Sequence, residues 1–199
     1  MKRSQRSAPQ RPRKEADTSG CQPGLVVSTH GRHVVVEAND GQRLICHPRG
    51  KKNAPVVGDR VQWLASGDEG SIERVEPRRN LLYRQDEVRT KSFAANLDQV
   101  LILLGAEPEF SEMQLTRALI AAEAEYITPV IALNKSDLTE AFARALARLA
   151  PYTQMGYTVL QLALKQGQMS DLVERLHHKT TLVLGRSSAA IPASSISGW

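Results

Sequence analysis

Asn134, Lys135, Ser136 and Asp137 set an amide, an ammonium, a hydroxyl and a carboxylate in four consecutive residues, directly after the apolar run Pro129 to Leu133. An ionised carboxylate can accept two hydrogen bonds side by side. Guanine presents two adjacent donors on one edge, its ring N1–H and its exocyclic N2 amine, and Asp137 can take both. Adenine presents neither, so the carboxylate would lie against an acceptor, and one good bidentate base contact discriminates by roughly 1 to 3 kcal/mol. Asn134 is placed to hold the loop and reach the N7 edge, while the carbon stem of Lys135 covers a face of the base. A polar surface turn can carry the same four residues. The preceding apolar strand favours the guanine reader, because open α/β sheets bind ligands at the carboxyl ends of their strands. A weaker contact is expected one strand later, at Ala163, Leu164 and Lys165, where backbone N–H groups meet the base O6. Alone, that segment reads as an ordinary turn.

The elements that must position these loops follow from apolar patterning. Gln99 to Leu104 is a nearly continuous apolar run, as in a parallel strand covered on both faces. Ser111-Glu112-Met113-Gln114 reads as a capping box that opens a helix with Leu115, Leu119 and Ile120 on its buried side. The Asn134 strand comes next, then a helix from about Thr139 to Leu149, a strand at Tyr157 to Leu162, a helix from about Met169 to His177 and a strand at Thr181 to Leu184. Strands and helices that alternate in this way form a parallel sheet with right-handed crossovers.

Upstream the pattern is different. Leu25 to Val27, Val34 to Glu37, Leu44 to Cys46, Asp59 to Trp63 and Gly70 to Val75 are short β-runs separated by Gly-rich and Asp-Gly turns. Such a run predicts a small five-stranded barrel of the OB type, whose loops and open strand face bind nucleic acid. Arg43, Arg49, Lys51 and Lys52 would crowd one side of it, with Arg78 and Arg79 at its exit. Trp63 reads as core, and few aromatics lie among these charges, so phosphate and shape recognition of folded RNA is expected rather than base stacking.

Composition bounds the rest. The 199 residues carry a net charge of +5, which fits a polyanionic partner. No apolar stretch approaches the ~18 residues of a membrane span, and the start lacks a secretory signal, so a cytoplasmic monomer is expected. Cys21 and Cys46 form no metal-binding pattern, and no metal ligands are assigned. The expected organisation is a basic tail at 1–22, the OB barrel at 23–90, an incomplete α/β parallel-sheet P-loop GTPase domain at 91–187 and an aberrant tail at 188–199.

Together these residues resemble the ribosome small-subunit-dependent GTPase A family (RsgA). The resemblance is carried by Val57-Gly58-Asp59-Arg60-Val61, Pro77 to Leu82, Ala94 to Val100 and Leu133 to Leu138. It implies a circularly permuted GTPase domain, with the guanine loop ahead of the phosphate loop, and an OB domain that contacts 16S rRNA in the 30S subunit. It also implies GTP as the nucleotide, with Mg and Zn in the full-length family. Where the family continues Gly-x-Ser-Gly-x-Gly-Lys-Ser, this chain reads Gly185-Arg186-Ser187-Ser188-Ala189-Ala190. The phosphate-holding lysine is missing, so Gly185, Arg186 and Ser187 are expected to be a phosphate-loop remnant, GTP binding weak or absent, and turnover nil, with no catalytic residue assigned. The tail is expected to be a frameshifted remnant, which an intact reading frame one base out of phase in the gene would establish. A non-catalytic rRNA-binding module and a guanine-nucleotide-sensing regulator are the competing readings.

Overall fold

A computed structural model describes residues 20–49, 54–85, 90–167 and 169–185 of the chain. The expected basic tail up to residue 19, Lys51, Lys52, Arg186, Ser187 and the segment 188–199 lie outside the described residues.

Two-residue alternation builds the first unit. Strands β1 (Gln22–His30), β2 (His33–Ala38), β3 (Arg43–Pro48), β4 (Arg60–Ser66) and β5 (Glu69–Val75) close into a barrel in the order β1-β2-β3-β5-β4, the OB arrangement. Val34 and Val36 on β2, and Val61 and Trp63 on β4, face inward with Val26, Cys46 and Ile72. Trp63 needs space. A Cβ on Gly70 would stand 2.8 Å from Trp63 Cε3 and 2.7 Å from Cys46 Sγ, so glycine is required beside the indole. Burial pushes the Cys46 thiol above its ordinary pKa. β1 begins at Gln22, which pairs with Trp63, so the strand takes up the last residue expected in the tail.

The second unit is a parallel sheet of β8 (Gln99–Gly105), β9 (Thr128–Asn134), β10 (Thr158–Leu162) and β11 (Thr181–Gly185), ordered β10-β9-β8-β11. Helices α1 (Glu112–Ala124) and α2 (Thr139–Gln154) cover one face, over Ile102, Ile131 and Leu133. Helix α3 (Ser170–Leu176) covers the other, where Leu172 packs with Leu101, Leu103 and Val130. Burial on both faces is why β8 and β9 read as unbroken apolar runs. Ser111 caps α1 by accepting the Gln114 N–H. Leu115 and Leu119 are buried as expected, but Ile120 is 62% exposed. One residue past Leu119 it is rotated by about 100° and leaves the buried stripe. Helix α2 continues past Leu149 and across Pro151, because Tyr152 packs on the core and shares a hydrogen bond with Thr116 at 3.1 Å.

Between the units lies a hairpin that the sequence did not announce, β6 (Leu81–Gln85) and β7 (Thr90–Ala95). Leu82 and Ala94 are buried in the core that α1 covers. The hairpin crosses residue 90, where the barrel was expected to give way to the sheet. It meets the barrel at the turn before β4. Gly58 has φ +88°, and a Cβ there would collide with the Ala95 carbonyl oxygen, so the approach requires glycine. The Ala95 N–H donates to Val57 O at 2.9 Å, and Asn96 Nδ2 donates to Gly58 O at 2.8 Å. Asp59, fully buried, accepts from Arg78 Nε and Nη2 at 2.8 Å each and from the Val56 N–H at 2.8 Å.

The chain of contacts continues into the sheet. Arg79 donates to Asn96 O and to Asp98 Oδ1, both at 2.9 Å, and the other Asp98 oxygen accepts the Thr180 N–H at 2.8 Å, just ahead of β11. The Thr180 N–H, with the Arg79 guanidinium, holds the Asp98 carboxyl below the usual carboxylate range. A depressed folded-state pKa gives stability that is fully present above the unfolded value of about 3.9 and is lost as pH falls through the lower folded value. Asp98→Asn is therefore expected to lower stability at neutral pH and to flatten the acid limb below about pH 4. Acid-unfolding curves with the same limb in both proteins would contradict this.

Candidate functional site

The loop expected to read guanine begins where β9 ends. Asn134 closes that strand and is only 6% exposed. Its side-chain oxygen accepts the Lys135 N–H at 2.8 Å and the Leu164 N–H at 3.1 Å. Both partners are backbone donors, so the amide oxygen must face them. The Asn134 nitrogen is left without a partner among the described residues, free to donate to an acceptor such as a purine N7. The Ser136 N–H donates to Leu162 O at 3.0 Å, a second tie between the ends of β9 and β10. One asparagine thus fixes the spacing of two loops 30 residues apart in sequence.

Lys135 has φ +74°, a left-handed conformation that costs a side-chain-bearing residue of order 1 to 3 kcal/mol and that persists where the surroundings enforce it. The enforcement is visible. Its ammonium donates to the Glu107 carbonyl, and its own carbonyl accepts the Leu138 N–H at 3.0 Å, which closes the turn. Asp137, at the crest of that turn, is exposed and makes no hydrogen bond or ion pair with any described residue. Its carboxylate is free for a ligand.

On the second loop Ala163 is buried and Leu164 opens a single 3-10 turn, Leu164–Gln166, ended by Gly167 at φ +74°. Lys165 is exposed. The Leu164 N–H, expected against a base oxygen, serves Asn134 here, so a guanine O6 would have to share it. Asn134→Ala should uncouple the loops, leave the Leu164 N–H unpaired and cost about 1 to 3 kcal/mol of stability. Chemical denaturation measures this, and a loss below a few tenths of a kcal/mol would show that the tie is idle.

Strand β11 leaves the sheet at Gly185, on the same edge as the guanine loop, with β8 between β11 and β9. A cleft of about 220 Å³ opens there, lined by Leu104, Phe110, Ser111, Leu115, Leu184 and Gly185 among others. It is chiefly apolar and contains none of the residues expected to read the base. Among the described residues no group of three or more His, Cys, Asp or Glu side chains is arranged to hold a metal ion.

The expected RNA-facing cations are distributed unevenly. Arg43 pairs with Glu37 at 2.8 Å and Arg49 with Glu73 at 2.9 Å, both on the barrel surface with most of the guanidinium in water. The Arg43–Glu37 pair is open to water on both sides and is worth about 0 to 1 kcal/mol, so a phosphate can take Arg43 at little cost. The Glu73 side chain, by contrast, is only 8% exposed and would lose its cation if Arg49 turned away. Arg78 is different: it is turned inward onto Asp59 and the Ala54 carbonyl and braces the joint. Arg79 spans Asn96 and Asp98. Arg32, absent from the expected set, is exposed on the β1–β2 turn without a partner among the described residues.

The model of the RsgA GTPase family matches residues 75–190. A Variovorax paradoxus (strain S110) protein named small ribosomal subunit biogenesis GTPase RsgA is 64% identical over 183 residues, covering 89% of this chain and 58% of the relative. A Paraburkholderia xenovorans (strain LB400) protein of the same name is 48% identical over 185 residues, covering 90% of this chain and 58% of the relative. This chain therefore spans little more than half the length of these curated relatives. The crystal structure of YjeQ from Thermotoga maritima aligns with a TM-score of 0.69 at 29% identity, over 90% of this chain and 66% of that one. That of YloQ, a circularly permuted GTPase, aligns with a TM-score of 0.62 at 26% identity, over 88% of this chain and 63% of that one. With a barrel followed by a parallel sheet that carries the Asn134 to Asp137 loop ahead of β11, and with a family match over more than half its length, the chain belongs to the RsgA GTPase family.

Proposed function

We propose that this chain is the RNA-binding barrel and the guanine-reading half of a small ribosomal subunit biogenesis GTPase, acting on 16S rRNA in the 30S subunit in the cytoplasm as a monomer. The observation that carries the reading is the double engagement of the Asn134 oxygen, which locks two loops and leaves the Asn134 nitrogen and the Asp137 carboxylate free. Guanine would give its N1–H and N2–H to Asp137 and take the Asn134 N–H at N7, with the Lys135 stem against its face. The sequence after Gly185 carries no phosphate-loop lysine, and on this reading binding in this chain is weak, guanosine and GTP bind alike, and GTP is not turned over. Among the described residues no helix is long and apolar enough to cross a membrane.

Calorimetry with guanosine, GTP and adenosine tests the base reader. GTP bound much more tightly than guanosine would mean that a phosphate cradle exists and would overturn the proposal of an inactive half. The barrel is tested by salt. Replacing Arg49, Lys51 and Lys52 by Ala should weaken 30S or rRNA binding and lower the slope of log K against log salt by roughly 0.7 to 0.9 per lost phosphate contact. An unchanged slope would argue against phosphate contacts at these positions. The alternative of an rRNA-binding module without nucleotide chemistry is favoured by the exposed arginines of the barrel, and it predicts rRNA binding with no response to guanosine.

A further inference from the structure

We infer that the outer face of β1, β2 and β3 carries a nucleobase-stacking platform built from His30, His33 and His47, which receives unpaired bases of single-stranded RNA. The inference rests on the reading that the barrel meets RNA, and it adds a class of contact that phosphate recognition does not supply.

Three of the chain's five histidines converge here although they lie on three strands. His30 and His33 face each other across the β1–β2 turn, their rings stacked with centroids 5.4 Å apart and planes 25° apart. His47, on β3, meets His33 edge to face at 6.2 Å. The outer two rings are held by their edges. His30 Nε2 lies 2.7 Å from Ser28 Oγ, and His47 Nε2 lies 3.0 Å from a Glu69 carboxylate oxygen. Edges fixed in this way keep the rings oriented while the outer faces remain open, and imidazole is one of the rings on which unstacked bases rest.

The surroundings fit a nucleotide. Val35 lies opposite Ile45, each two residues along its strand from His33 and His47, and Ile45 is 42% exposed, so the apolar surface extends beyond the rings. Arg32 at the turn supplies a cation without a partner among the described residues. The nearby carboxylates of Glu69, Glu37 and Glu73 are already engaged by His47, Arg43 and Arg49. In five-stranded barrels of this strand order the ligand lies on the face of strands 2 and 3 and between the loops joining strands 1 to 2 and 4 to 5. Here those loops are the turn carrying Arg32 and the turn just before Glu69. A metal centre is not the reading, because two of the rings already spend their Nε2 atoms on Ser28 and Glu69.

The test compares, on the full chain, a fluorescent oligoadenylate of about eight nucleotides, within the usual site size of one such barrel, with an abasic strand of the same length. The native chain is expected to bind the base-bearing strand roughly 5- to 100-fold more tightly. His33→Ala should remove most of that difference and His33→Phe should keep it, all with the same salt slope, since the phosphates are untouched. Equal affinity of the native chain for the two strands, with a hairpin RNA still bound, would overturn the platform and leave the RNA-binding barrel standing. Failure to bind any of the three RNAs at low salt would overturn both.

Discussion

Asp59→Ala is expected to destabilise the chain by about 3 to 5 kcal/mol, the usual cost of removing one partner of a buried ion pair. Asp59 is fully buried, and its two oxygens receive Arg78 Nε, Arg78 Nη2 and the Val56 N–H. Alanine leaves the guanidinium, only 25% exposed, without its carboxylate and with the Ala54 carbonyl as its remaining partner, and leaves the Val56 N–H unpaired beside it. Arg78→Met reverses the insult and strands a carboxylate with no access to water. A double replacement of both residues by leucine should cost less than either single change, because neither charge is then left alone. Arg78→Lys keeps the charge but loses the two-pronged geometry, and should fall between. The pair does not titrate away on the arginine side, since the Asp59 hydrogen bond raises the Arg78 pKa further. Urea unfolding followed by circular dichroism measures the series, and a cost below about 1 kcal/mol for Asp59→Ala would mean that the pair is solvated and the joint soft.

This joint explains which stretches of the sequence were most informative. Gly58 and Asp59, Arg78 to Asn80, and Ala94 to Asp98 lie far apart in the chain, and each looked like a family signature without a physical reason. The structure brings them to one place: the glycine for a close approach, the aspartate for the buried arginine, small alanines under the turn, and Asn96 at φ +58° donating to Gly58 O. Barrel strands and sheet strands were readable because alternation and continuous apolar runs report burial on one face or two. The β6–β7 hairpin was not, since Arg84, Gln85 and Lys91 break any apolar period and its stability comes from Leu82 and Ala94 packing into a distant core. The inward pairing of Arg78 was hidden for a related reason, because a sequence shows charge but not the buried partner that engages it. The loop at the end of β9 was readable from the apolar run before Asn134, whereas the Asn134 to Leu164 tie needed the fold. The histidine platform was hidden most completely. Its rings come from three strands and touch only after the barrel has closed, and a search for stacking residues limited to Trp, Tyr and Phe passes over them.

Asp137→Asn is expected to abolish the preference for guanosine over adenosine while leaving the fold intact. The second half of that statement follows from the exposure of Asp137 and from its lack of any partner among the described residues, since exposed changes of this kind usually move stability by no more than about 0.5 kcal/mol. The first half follows from chemistry. A carboxylate accepts from both guanine donors, whereas an asparagine amide offers one acceptor and one donor, so one guanine N–H would face an N–H. The loss should be about 1 to 3 kcal/mol, or roughly five- to 150-fold in affinity. The same amide can pair with xanthine, which has a carbonyl where guanine has its amine, so xanthosine should gain what guanosine loses. This exchange separates base reading from general weakening of the pocket, because a damaged pocket would lose both nucleosides. Competition calorimetry with guanosine, xanthosine and adenosine on the native and Asp137→Asn chains decides it. Guanosine bound equally by the two chains would mean that Asp137 is a solvated turn residue and that the four-residue pattern reads nothing.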